Sequence, residues 1–152
     1  MKDFCIIGSG ISGATIANSL SKKFSLDVYD KARGAGGRSS NKKFNKSESF
    51  EHGVQYISPK SIQFKSFIKD LINKKIVKKW PGKHLFLNTD KKEDKKHIKI
   101  IGKKGNNAIS KYLLKDINCN FNSEVIKIFN KNKVWEIYFS DGSIKFYKSL
   151  IL

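Results

Sequence analysis

The apolar residues of this chain fall into short runs set between glycines and lysine-rich stretches. Phe4-Cys5-Ile6-Ile7 stands between the charged pair Lys2-Asp3 and Gly8, the pattern of a short strand buried on both faces. Gly8 to Gly13 predicts a glycine-rich turn. Ala14 to Lys23 predicts a helix, because Ile16, Ala17 and Leu20 recur at helical spacing. Ser25 to Tyr29 predicts a second strand, ending at Asp30. Strand, turn, helix and strand in that order make a βαβ unit with parallel strands.

A loop of glycine and small residues follows from Ala32 to Ser40, and Phe50 to Ile57 reads as extended until Ser58-Pro59 breaks it. A helix is expected from about Ser61 to Lys78, with Ile62, Phe64, Phe67, Ile68, Leu71, Ile72 and Ile76 on a broad apolar face and Trp80-Pro81-Gly82 as its stop. Leu85 to Leu87 and His97 to Ile101 read as strands flanking a solvated, charged loop, Thr89 to Lys96. Gly102 to Asn107 is a second glycine-containing turn, opening a helix from Ala108 to Lys115. Then the period changes to that of strands: Phe121 to Phe129, Val134 to Phe139 and Ser143 to Tyr147. Ser140-Asp141-Gly142-Ser143 supplies a hairpin turn. Ser149 to Leu152 starts another apolar strand. A carboxylate at the end of a core strand is poorly solvated, so the chain is expected to be the N-terminal part of a longer protein.

The 152 residues carry a net charge of +18, which by itself points to nucleic acid. The inventory argues otherwise. Arg33 and Arg38 are the only arginines; every other basic residue is lysine, spread along the chain and accompanied by Ile and Asn, residues that share AT-rich codons. The charge therefore reads as a solvated lysine surface, and no nucleic-acid partner is expected. No apolar run is long enough to span a membrane. The apolar start leads into a glycine turn rather than a cleavage site. Cys5 and Cys119 make no disulfide framework, so a reducing cytoplasm is expected. His52, His84 and His97 lie far apart, and no metal site is expected.

Gly8-Ser9-Gly10-Ile11-Ser12-Gly13 fits G-x-G-x-x-G between a predicted strand and a predicted helix. Gly8 permits the tight turn, Gly10 lets backbone approach a pyrophosphate, and Gly13 lets helix and strand pack closely. The helix N-terminus offers free N–H groups and its dipole to the phosphates. Asp30, at the end of the second strand, can accept from ribose hydroxyls and disfavours a 2′-phosphate, which selects FAD or NAD over NADP.

Asp30-Lys31-Ala32-Arg33-Gly34-Ala35-Gly36-Gly37-Arg38 resembles the second glycine motif of FAD enzymes of the renalase-like and amine-oxidase-like group, R-G-x-G-G-R after a strand-end acid. The resemblance implies that Gly36, Gly37 and Arg38 contact the FAD diphosphate or ribitol, with Lys31 and Arg33 near the same phosphates. It also accounts for the two arginines, since a planar fork that grips phosphate bidentately is poorly replaced by lysine. Phe50-Glu51-His52-Gly53-Val54-Gln55-Tyr56 is similar to the group's F-D-H-G-A-Q-Y segment beside the flavin, with Glu51 in place of the commoner Asp. Gly105-Asn106-Asn107-Ala108-Ile109 is similar to its G-M-N-A-L turn, with Asn106 in place of an apolar residue. The stretch at Glu124-Val125 corresponds to a strand whose valine backbone meets the adenine, and the hairpin from Val134 to Tyr147 to the β-meander.

The expectation is thus an α/β, Rossmann-like FAD-binding fold: a parallel sheet with helices and a β-meander, lacking the second half of the usual two-domain flavoprotein. Residues 1–45 are read as the βαβ unit and arginine–glycine motif, 46–101 as the start of a substrate-side insertion, and 102–152 as the return to the FAD domain. The resemblance implies an oxidoreductase that takes a hydride from a small amine or a dihydronicotinamide-type substrate. His52 is the candidate for proton handling, against a structural role beside Gly53. A truncated dinucleotide-binding module and a basic nucleic-acid-binding protein are the alternatives.

Overall fold

The computed structural model describes residues 1–45, 48–82 and 98–152. The predicted βαβ unit is present as β1 (Lys2–Ile7), α1 (Ile11–Leu20) and β2 (Leu26–Tyr29). Helix α1 begins three residues before the predicted Ala14, because helical hydrogen bonding starts inside the glycine motif: Ala14 N–H already donates to Gly10 O at 2.9 Å.

Short hairpin strands follow, β3 (Asn41–Lys43) with β4 (Ser49–Glu51), then α2 (Ile62–Asn73). Ser61 Oγ caps α2 by accepting from Phe64 N–H at 3.2 Å. The predicted helix to Lys78 is too long. Lys75 takes φ 59°, the chain reverses, and β5 (Val77–Lys79) pairs antiparallel with β6 (Ile100–Gly102). The apolar period of Ile72, Ile76 and Val77 runs across this reversal, which is why sequence periodicity reads through it. Leu85–Leu87, the charged loop from Thr89, His84 and His97 lie outside the described residues.

Helix α3 (Ala108–Leu113) leads to β7 (Cys119–Asn120), β8 (Val125–Lys131), β9 (Val134–Phe139) and β10 (Ile144–Ile151). Two boundaries differ from expectation. The strand predicted over Phe121–Phe129 is split from β7 by a turn in which Asn122 adopts φ 53°. The two strands predicted at Ser143–Tyr147 and Ser149–Leu152 are one. β10 pairs antiparallel with β9 over its first half and parallel with β1 over its second, Cys5 facing Leu150. A six-stranded sheet results, in the order β7-β2-β1-β10-β9-β8: a parallel-rich Rossmann-like sheet on one side and a β-meander on the other. A parallel neighbour on each side of β1 explains its unbroken apolar run.

One face of the sheet packs Ile6, Leu26 and Val28 under α1, α2 and α3, against Ala14, Ala17, Ile68, Leu71 and Ile109. Asn18 Nδ2 donates to Leu113 O at 2.9 Å and ties α1 to α3. The other face packs Cys5 and Tyr29 with Ile137, Phe139 and Tyr147 of the meander. Burial pushes the Cys5 thiol up to about 12, with the nearby Asp27 charge adding to the effect, so Cys5 is an unreactive core residue.

Asp27 is buried at the edge of this second core. Burial alone would raise its pKa, but Lys2 Nζ at 2.6 Å, Asn118 Nδ2 at 2.5 Å and Tyr147 Oη at 2.8 Å all donate to it, and the net effect lowers it. Tyr147 in turn shares a hydrogen bond with Tyr29 Oη at 2.7 Å. A carboxylate depressed in the folded state contributes stability above its unfolded pKa of about 4 and loses it as pH falls through the folded value. Asp3, held low by Lys148 and Ser25, acts in the same direction. Thermal stability is therefore expected to change little between neutral pH and about pH 5 and to fall steeply below about pH 4. Melting curves of Asp27→Asn across that range should fall less steeply than those of the parent chain; an identical slope would remove Asp27 from this account.

Candidate functional site

The site is built where the β1 and β2 strand ends meet two glycine turns. Gly8 N–H donates to Tyr29 O at 2.7 Å, and Gly8 adopts φ +104°, a conformation that favours glycine. Ser9, fully buried, fixes the turn in three directions. Its N–H donates to Asp30 Oδ2 at 2.7 Å, its hydroxyl donates to the same oxygen, and its carbonyl accepts from Gly36 N–H at 3.1 Å. Asp30 Oδ1 accepts from Ala32 N–H at 2.8 Å. One carboxylate thus ties the first glycine turn to the start of the Ala32–Ser40 loop, a role that sequence reasoning did not assign to it.

Helix α1 opens on Gly10, which has no side chain to cap it, and its first turn holds no acidic residue. The N–H groups of that turn therefore lack the usual side-chain acceptors. The second turn lies against the first. Gly10 and Gly36 form a parallel bridge, and a Cβ on Gly37 would come 3.2 Å from Gly10 Cα. A single 3₁₀ turn, Gly37–Ser39, then presents Arg38. Its backbone is held from below, because Arg38 O accepts from Val54 N–H at 3.0 Å and packs so closely on Gly53 that a Cβ there would lie 2.1 Å from it.

These turns border a cleft of about 510 Å³. Gly8, Gly10, Ile11, Ser12 and Gly13 line it from the first turn, and Gly36, Gly37 and Arg38 from the second. Eight of the predicted cofactor residues thus come together. Ile7, Ile16, Val54, Ile151 and Leu152 supply an apolar lining that sequence reasoning missed. The signal for Ile151 and Leu152 was present as an apolar run, but their position beside Gly8 follows only from the pairing of β10 with β1.

The remaining predicted residues lie outside the lining. Asp30 is joined to the cleft through Ser9. Asn122 N–H donates to Ala32 O and Ser123 N–H to Asp30 O, each at 3.0 Å, and Val125 follows two residues on, at the start of β8. Lys31 is exposed. Arg33 lines a separate hollow with Cys119 and Phe121, apart from Arg38. His52 is exposed, with Nε2 3.5 Å from Ser40 Oγ and next to the Gly53–Arg38 contact.

Asn106, only 1% exposed, is a residue that the sequence marks as a departure in its turn but to which it gives no role. Its Oδ1 accepts from Gly102 N–H at 2.8 Å, and its Nδ2 donates to Val54 O at 2.7 Å and Gln55 O at 3.0 Å. Its own N–H donates to Glu51 Oε1 at 2.9 Å. It fastens Val54, on the wall of the cleft, to the turn that opens α3.

Residues 6–71 match the family model of NAD(P)-binding Rossmann-like domains. Solved structures extend the likeness in fold to almost the whole chain. An engineered variant of putrescine oxidase superposes with a TM-score of 0.74 at 12% identity, covering 99% of this chain and 57% of that one. The tetracycline destructase Tet(51) gives 0.66 at 16% identity, covering 99% and 37%. A protein described as an FAD-containing monooxygenase from Photorhabdus luminescens gives 0.61 at 18% identity, covering 99% and 38%. The chain therefore spans between about a third and somewhat over half of the length of these proteins.

The donor set suits a dinucleotide. A glycine-lined cradle leaves backbone open where side chains would intrude, an uncapped helix N-terminus supplies N–H groups, and a guanidinium supplies a fixed positive fork. No helix among the described residues is long and apolar enough to cross a membrane.

Proposed function

We propose that this chain is the FAD-binding part of a flavin-dependent oxidoreductase similar to the renalase-like and amine-oxidase-like enzymes. The observation that carries this reading is the convergence of the Gly8–Gly13 turn, the start of α1 and the Gly36–Arg38 turn on one cleft. In it the first-turn N–H groups of α1 and the Arg38 guanidinium hold the diphosphate. Asp30 keeps lone pairs free beyond its bonds to Ser9 and Ala32 and accepts from a ribose hydroxyl; its negative charge disfavours a 2′-phosphate. The backbone at Val125 borders the adenine end. Val54 and the carboxyl-terminal end of β10 give an apolar wall that excludes water. Bound FAD supplies hydride acceptance from a substrate carbon, and the chain supplies binding, orientation and charge. The substrate class is a small amine or a dihydronicotinamide-type molecule, and the compartment a reducing cytoplasm. His52, at the rim, handles a proton or orders the wall it stands on.

A second reading is a dinucleotide-binding module without catalysis of its own. It is favoured by the lining of the cleft, in which Arg38 is the one ionisable side chain among the described residues.

The purified protein should carry flavin absorbance or acquire it when FAD is added. A folded, colourless protein that FAD leaves unchanged would sink both readings as far as they concern FAD. Arg38→Ala should weaken FAD binding about tenfold or more, the usual worth of a charge-assisted phosphate contact, and Arg38→Lys should recover only part of it. Unaltered FAD affinity in Arg38→Ala would remove Arg38 from the phosphate site.

A further inference from the structure

The lysines that look evenly spread along the sequence are not evenly spread in space. Lys75 stands at the reversal after α2, Lys103 and Lys104 on the turn after β6, and Lys111 and Lys115 one helical turn apart at α3. The fold draws these three segments together: Lys103 N–H donates to Ile76 O at 3.0 Å, and Val77 faces Gly102 in the β5–β6 ladder. The five lysines line one open cleft of about 490 Å³ whose other lining residues are Ile76, Ala108 and Tyr112.

Negative charge is scarce around this basin. Among the described residues, Lys75, Lys103, Lys104 and Lys111 have no carboxylate in ion-pair range. Asp70 is engaged by Lys74 at 2.6 Å, and Asp116 lies 3.6 Å from Lys115 with both groups largely exposed. Four cations without a carboxylate partner, with the exposed Lys115 beside them, repel one another in one concavity, and a ligand bearing several negative charges relieves that repulsion. Tyr112 offers little stacking surface, since Lys74 and Lys115 sit 5.4 and 5.6 Å from its ring centre. The basin therefore matches a chain of phosphates and not their bases. It is concave and carries no protruding apolar side chain, which suits a groove for a strand better than a face that inserts into a bilayer.

We infer that this basin, separate from the dinucleotide cleft, binds the phosphodiester backbone of nucleic acid without regard to sequence. The binding is electrostatic and driven by counterion release, so its dependence on salt reports the number of phosphates engaged. The test uses the full chain and a short fluorescein-labelled single-stranded DNA, with fluorescence anisotropy read across a salt series. Parent protein should bind with an affinity falling steeply as salt rises, the log–log slope being about −3 if most of the five lysines engage. Replacing Lys75, Lys103, Lys104, Lys111 and Lys115 together by Gln should weaken binding about tenfold or more at moderate salt and flatten the slope by about 2. The comparison protein carries the same charge loss elsewhere, with Lys22, Lys23, Lys42, Lys127 and Lys133 replaced by Gln. It should stay within about threefold of the parent. Melting temperatures of both variants establish that they are folded. Equal losses in the two variants would show a diffuse charge effect and overturn the site, as would no DNA binding by the parent. Basin-dependent binding to phosphatidylserine vesicles without DNA binding would overturn it in favour of a membrane surface.

Discussion

Gly13→Ala should destabilise the fold by at least about 2 kcal/mol, lowering the melting temperature by about 5 °C or more, and should abolish retention of FAD. The added methyl would lie 2.0 Å from Gly8 O and 3.2 Å from Gly8 C. Both are backbone atoms of the turn that lines the cleft, and neither can move without shifting Gly8, whose N–H is bonded to Tyr29 O at 2.7 Å. Relief has to come from tilting α1, which disturbs its packing through Ala14 and Ala17, both fully buried. Gly34→Ala is the matched comparison. Gly34 has nothing within 4 Å of its hypothetical methyl and needs no positive φ, so its replacement should leave stability within about 0.5 kcal/mol. Chemical denaturation of the two variants side by side checks the prediction, and similar midpoints would contradict the close-packing role of Gly13.

The second large effect is expected at Asn106. Asn106→Ala removes three side-chain hydrogen bonds and leaves Gly102 N–H short of a partner in a buried place and Val54 O and Gln55 O in a part-buried one. Each such loss costs about 1 kcal/mol or more, so a total of about 3 kcal/mol is expected in a denaturation curve. Asn106→Asp should also be destabilised, because a carboxylate accepts from Gly102 but cannot donate to the two carbonyls. Amide exchange at Val54 should quicken with the loss, since that residue's wall of the cleft would then be held chiefly by its own N–H bond to Arg38 O. A change in stability below about 1 kcal/mol would show that the wall does not depend on Asn106.

The reach of the sequence differs between these two residues. Gly13 announces itself, because three glycines at fixed spacing between an apolar run and a helical face have a local geometric reason. Asn106 carries no such mark. Its acceptor oxygen is matched by Gly102 N–H four positions earlier, but its amide donors are matched by the Val54 and Gln55 carbonyls more than fifty positions earlier in the chain. Arg38 was legible as one of two arginines among lysines. Its neighbour in sequence, Arg33, looked equivalent, yet the left-handed and glycine-only backbone at Gly36 and Gly37 turns the chain between them, and the two line different hollows. The overrun of α2 has a similar cause: periodicity persists across the reversal at Lys75, and lysine at φ 59° has no sequence signature.

By itself the sequence determined the βαβ start, the glycine cradle, the strand-end acid and the hairpin of the meander. Each rests on contacts between residues a few positions apart, whose spacing directly encodes the backbone. Only the tertiary structure decided that β10 is one strand feeding from the meander to the side of β1, that Ile151 and Leu152 wall the cleft, and that Asp30 clasps the first glycine turn through Ser9. It alone gathered five dispersed lysines into a basin. Those features depend on strand pairing and loop docking between distant segments, where the energy lies in matched hydrogen bonds and shared burial that no local pattern carries.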